Sequence, residues 1–121
     1  MSAFTWIGVA VLGGLGAITR FLLDGLISSR FGRGFPFGTF AINVTGAFLL
    51  GLLDGVALTG DALILAGTAT LGSYTTFSTW MLETQRLTED GAFGAGLMNI
   101  GASVAVGLGA VALGRLIGAH A

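Results

Sequence analysis

The chain has 121 residues, of which 54% are hydrophobic and 9% charged, with no lysine, no cysteine and a net charge of −1. With a mean hydropathy of +0.91, this is an integral membrane protein, because a soluble domain of this size carries about a quarter charged residues. The composition excludes a basic nucleic-acid-binding surface, disulfides, thiolate catalysis and zinc–cysteine sites, and no His or carboxylate constellation suggests an enzyme. The single histidine, His120, is next to last and reads as a solvated tail.

Four apolar stretches, each near the ~20 residues needed to cross a bilayer, predict an all-α membrane protein with one channel-sized domain over residues 1–121. The first runs from Phe4 to Leu23 and has no basic residue before it, so it reads as a retained helix and not as a secretory signal. Near its end stands Arg20, which admits two readings: snorkelling to the interface, or an electropositive vestibule that concentrates an anion. The stretch from Asp24 to Pro36 holds Arg30, Arg33 and the only proline, and reads as a loop.

The second span runs from Phe37 to Leu53. Asn43 lies deep within it, and an amide in the bilayer core must find partners on another helix or line a wet path. Thr39, Asn43 and the Gly46/Ala47 pair follow helical spacing and are expected on one face. Asp54 to Asp61 forms a short turn.

The third span, Ala62 to Leu82, contains Gly72-Ser73-Tyr74-Thr75-Thr76-Phe77-Ser78-Thr79-Trp80. Five hydroxyls and three aromatics follow a glycine here, a poor recipe for an uninterrupted helix. The helix is expected to break near its middle, between Gly72 and Thr76. Broken backbone at membrane depth is tolerated where it is packed in protein or lines a polar path, and freed carbonyls can ligate a hard cation. Thr75, Thr79 and Glu83 are spaced as one helical row, and Phe77, Trp80 and Thr84 as its neighbour. Aromatic ring edges carry partial positive charge, so rings interleaved with hydroxyls suit an anion that must shed its water.

The fourth span runs from Phe93 to Ile117, with Asn99, Ser103 and Gly107 at i, i+4 and i+8. Twenty-two glycines suit closely packed membrane helices, and Gly51-x-x-x-Gly55 and Gly114-x-x-x-Gly118 are packing signals. Arg30, Arg33 and Arg86 lie on one side against Arg115 on the other. That bias is weak, favouring a cytoplasmic side for the first and third loops and also suiting a protein that inserts both ways round.

Three motifs in this order, Gly13-Gly14-x-Gly16-Ala17-x-x-Arg20-Phe21, Gly38-Thr39-x-x-x-Asn43-x-x-Gly46 and Gly72-x-x-Thr75-Thr76-Phe77-Ser78-Thr79, resemble the Fluc (CrcB-type) fluoride channel family over essentially the whole chain. The resemblance implies an antiparallel, dual-topology dimer in the cell membrane with two fluoride pores. It also implies a structural sodium ion at the dimer centre, held by the backbone carbonyls of Gly72 and Thr75 from both subunits. Asn43, Phe77 and Ser103 match pore residues, Arg20 the vestibule arginine, and Glu83 an acid beyond the hydroxyl row that includes Thr79. Thr39 joins the pathway on the same face as Asn43.

The chain departs from that pattern where Trp80 replaces a usual Phe, Asn99 a common Tyr and Gly107 a serine. These departures admit a heterodimer with a paralogue beside the homodimer. Two rival classes differ in what they require. A proton-coupled exporter of the small multidrug-resistance kind needs a buried acid in its first helix, absent from Phe4 to Leu23. A non-transporting assembly subunit leaves Asn43 and the hydroxyl row without a purpose.

Overall fold

The computed structural model describes residues 1–121 and is helical with short connections. Helix α1 spans Ala3–Phe31 and α2 spans Phe37–Gly55. A broken third leg follows: α3 (Gly60–Leu63), a π-helical stretch (Ile64–Leu71), α4 (Gly72–Tyr74) and α5 (Ser78–Glu89). Helix α6, Phe93–Ala119, completes four helical legs, of which α1, α2 and α6 are by themselves long and apolar enough to span a membrane.

Helix α1 outruns its expected end at Leu23 and takes Asp24 and Arg30 out of the loop assigned to them. No proline or left-handed residue occurs before Gly32, whose φ of 74° suits only glycine without strain and whose N–H closes on the Ser28 carbonyl. At ~1.5 Å per residue α1 is about 44 Å long, so its last turns emerge from a hydrocarbon layer of about 30 Å. At its other end the Ser2 hydroxyl caps the Thr5 N–H, and Thr5 donates at 2.9 Å to Asp61 at the start of α3.

Helices α2 and α6 touch backbone to backbone. A methyl group on Gly51 would strike the Val111 carbonyl, and one on Gly114 the Phe48 carbonyl; Gly55 and Gly118 meet Arg115 and Leu52 in the same way. The two glycine signals therefore serve packing within one chain, where small residues permit close van der Waals contact. Asp54 and Arg115 add an ion pair of 3.1 Å at the end of this seam, exposed on both sides and weak for that reason.

Ile42, Leu71 and Tyr74 form the core between α2 and the third leg. Only 17 of 121 residues are buried, so packing within the chain hides little of it. Phe4, Phe21 and Leu97 are each more than 70% exposed, giving the protein the apolar exterior that hydrocarbon requires and water would not tolerate. This is a multi-pass membrane protein.

Candidate functional site

The break in the third leg falls at Thr75–Phe77, slightly later than Gly72–Thr76. Gly72 to Tyr74 remain helical because the Gly72 N–H still reaches the Gly67 carbonyl and the Thr75 N–H the Leu71 carbonyl. Thr75 then turns extended, with ψ 160°. The cause lies on another helix. The Asn43 carboxamide accepts the Thr76 N–H at 2.9 Å and donates to the Thr76 carbonyl at 2.9 Å, pairing with that peptide as a neighbouring strand would. A half-buried amide that meets both the N–H and the carbonyl of one residue satisfies itself and the backbone together. Two further contacts hold the break to α2. The Thr45 and Tyr74 hydroxyls lie 2.8 Å apart, and Gly46 leaves room for the Thr75 methyl and the Tyr74 ring.

This arrangement frees the carbonyls from Gly72 to Thr75, because none of the N–H groups from Thr76 to Thr79 closes on the carbonyl four residues back. In an unbroken α-helix the Thr76 N–H would bond the Gly72 carbonyl and the Thr79 N–H the Thr75 carbonyl. Here Asn43 takes the first donor, and the Thr76 hydroxyl takes the second at 3.2 Å. The family resemblance implies the Gly72 and Thr75 carbonyls as sodium ligands, and freed backbone oxygens are of the kind that can hold a hard cation. The residues fit that task.

The site residues other than Ser103, which lines none of them, divide among three cavities. An open groove of about 710 Å³ is lined by Asn43, Gly72, Thr75, Phe77 and Trp80, together with Gly46. On the other side of Thr76 a smaller cavity of about 190 Å³ holds Arg20, Asp24, Thr39 and Thr79. Thr76 borders both. A third cavity, of about 180 Å³, places Glu83 with Arg33, Arg86 and Asp90. Thr39 and Asn43 therefore share a helix face but open to different sides of the break. The expected row of Thr75, Thr79 and Glu83 is interrupted by the break, which leaves Thr75 in the groove and one residue in each of the other cavities.

Trp80 sits at the junction of α5 and α6. Its ring meets Phe77 edge-on, with centroids 5.8 Å apart and planes at 79°, a favoured aromatic geometry. The indole N–H donates to the Asn99 carbonyl at 3.0 Å. Asn99 is fully buried and donates to the Thr84 hydroxyl at 2.8 Å, while that hydroxyl donates to the Trp80 carbonyl at 2.9 Å. Phe77, by contrast, is 70% exposed on the open side of the groove. Thr84 and Asp24 were not among the site residues expected from sequence. The i, i+4 spacing of Trp80 and Thr84 was the available signal for the first; Asp24 gave none, because it read as loop.

Four side-chain atoms are shielded yet have no hydrogen-bond partner within the chain: Arg20 Nε, Glu83 Oε1, Asn99 Oδ1 and Ser103 Oγ. Three belong to residues the sequence selects for the pathway, and the fourth to the asparagine that departs from the family pattern. Shielded polar groups are nearly always satisfied, and these four are exceptions within the single chain.

Comparison with known proteins places the chain in a family. The family model described as "CrcB-like protein, Camphor Resistance (CrcB)" matches residues 7–115. The chain is 55% identical to Fluoride-specific ion channel FluC 2 of Mycobacterium tuberculosis over 112 residues, covering 93% of this chain and 89% of the relative. It is 44% identical to Fluoride-specific ion channel FluC of Acidobacterium capsulatum, with 93% and 94% covered. To FluC 1 of Leifsonia xyli it is 42% identical, with 98% and 89% covered. With a family model spanning nearly its whole length and relatives above 50% identity, the chain belongs to the CrcB family of FluC-type membrane proteins.

Proposed function

We propose that this protein is a fluoride-selective passive channel that exports cytoplasmic fluoride across the cell membrane. We further propose that it works as an antiparallel, dual-topology dimer with a structural sodium ion at its centre. The carrying observation is the break itself: Gly72 and Thr75, whose carbonyls are among those it frees, line the same open groove as Asn43, Phe77 and Trp80. The names of the relatives supply the ion. A groove that is open in one copy and lined by the site residues suits closure by a second copy, identical or paralogous.

On this reading the residues divide the work. Arg20 raises the local concentration of the anion at the mouth. Thr39 and Thr79 offer hydroxyls in the cavity beside it, and Ser103 offers one on α6. The edges of Phe77 and Trp80 replace water around an ion whose dehydration is costly. Glu83 stands at the far mouth between Arg33 and Arg86. When bound, sodium balances the partial negative charge of the Gly72 and Thr75 carbonyls. Hydrogen fluoride enters cells neutral and dissociates, and a negative interior then drives the anion out by ~2.3 kcal/mol per 100 mV. No energy-coupling group is required.

Reconstitution of the purified protein alone into liposomes tests this. Fluoride efflux is expected on adding a potassium ionophore, with none for chloride, no need of a proton gradient, and loss in Asn43→Asp. Absence of efflux from correctly folded dimers would defeat the homodimeric form, and co-reconstitution with a paralogue then tests the heterodimer. Efflux that requires a proton gradient would instead indicate a coupled exporter.

A further inference from the structure

Arg20 and Asp24 stand one turn apart on α1, a spacing at which opposite charges pair. Both line the small cavity that also holds Thr39 and Thr79. They do not pair with each other. The one ion pair in the chain is Asp54 with Arg115, and Arg20 Nε is shielded without any partner. The Asp24 carboxylate lies instead against Gly38, the second residue of α2, and the Ser28 hydroxyl donates to it at 3.4 Å. Gly38 is buried, and a methyl group there would take the place of the carboxylate oxygen. Its backbone is ordinary, since its φ is not positive, so what the missing side chain supplies is room. The place also suits a negative charge. Helix α2 opens without a side-chain cap, and the positive end of its macrodipole favours an anion beside the first turn.

We infer that Gly38 is a positioning residue: the room it leaves holds the Asp24 carboxylate on α2 and off Arg20, so that the guanidinium stays available to the permeating anion. This rests on the channel reading above. Arg20 is the only cation lining that cavity, so it is the partner open to a carboxylate evicted from Gly38. An Arg20 held by Asp24 would show the anion a neutral pair in place of a positive charge, and attraction at the mouth would fall. The eviction is mild for the fold. A methyl group at position 38 meets first the end of a rotatable side chain, and the Asp24 backbone carbonyl, at 3.2 Å, has only to give slightly.

Two measurements test the inference, the first independent of transport. In micelles, with isotope-labelled arginines and the Arg20 signal identified by its loss in Arg20→Lys, Gly38→Ala is expected to move the Arg20 Nε–H resonance downfield. Adding Asp24→Asn to that variant should restore the wild-type position. An unmoved signal in folded Gly38→Ala protein would overturn the inference. The second is a double-mutant cycle on fluoride efflux at low salt. Gly38→Ala should slow efflux by about tenfold when Asp24 is present, the low end of what a focused charge adds to capture. In the Asp24→Asn background the same change should cost less than about twofold. Asparagine keeps the size of the side chain and removes its charge, so a packing penalty survives that exchange and an electrostatic one does not. The loss should also shrink as ionic strength rises. Equal penalties in both backgrounds, or none in either, would overturn the inference. Where Gly38→Ala does not fold, Asp24→Glu serves, because its longer side chain outgrows the same room; an unmoved Arg20 signal there would be equally fatal. An Arg20 signal that moves as expected, in a protein whose wild type passes no fluoride, would overturn the channel reading and leave only the placement of Asp24 standing.

Discussion

Asn43 works as a substitute for the peptide that a continuous helix would supply. Its carboxamide meets both the N–H and the carbonyl of Thr76, 33 positions along the chain. Replacing it with leucine strands both groups. At ~1–3 kcal/mol for each buried group left without a partner, Asn43→Leu should destabilise the folded protein by about 2–6 kcal/mol, seen as a lower melting temperature in detergent. Thr84→Val removes the acceptor for the Asn99 amide and should cost about 1–3 kcal/mol by the same measurement. That Asn43 mattered was legible, because an amide at bilayer depth has to be satisfied. Its partner was not, since nothing local in Gly72–Trp80 says which peptide an asparagine on α2 will reach. Trp80 shows the opposite limit. Its ring was placed correctly beside Phe77 by i, i+3 spacing, but the destination of its N–H depends on how α5 leans on α6.

At the scale of elements, the glycines sort into those that another backbone touches and those that meet nothing. Gly114 lies against the Phe48 carbonyl, whereas Gly25 on α1 has open space beyond it. Gly114→Ala should therefore destabilise by about 1–3 kcal/mol through overpacking of the α2–α6 seam. Gly25→Ala should instead stabilise by up to about 1 kcal/mol, because alanine loses less backbone freedom in a helix. Thermal unfolding of the two variants side by side checks the contrast. The existence of all four legs was readable from apolar run length, and the ends of α2 and α6 fell within two residues of expectation. Two features were not readable. Helix α1 runs past Asp24 because polar residues beyond the hydrocarbon do not stop a helix that lacks a breaker. The π-helical stretch Ile64–Leu71 has an ordinary apolar sequence, and its widened turns are visible only in the bonding, as where the Thr70 hydroxyl reaches back five residues to the Leu65 carbonyl.

The whole molecule is poor in burial and rich in exposed hydrocarbon, so its stability depends on what surrounds it. If sodium binds the folded dimer and not the unfolded chain, its addition should raise the melting temperature in a concentration-dependent way. An equal response to a large organic cation would count against a specific site. The arginine bias between the two sides is weak, and if the protein inserts both ways round a direct test is available. With no native cysteine, single cysteines placed in the first and second connecting turns should each be labelled from both faces of the membrane. One further consequence follows from the break at Thr75–Phe77. An α-helix carries a macrodipole, with about half a positive charge at its N-terminus and half a negative charge at its C-terminus. Cutting the third leg in mid-membrane creates two such ends a few residues apart, a negative one closing at Tyr74 and a positive one opening at Ser78. One interruption thus places opposite poles side by side within a few residues. A cation and an anion can then be favoured at neighbouring points without a single charged side chain at either.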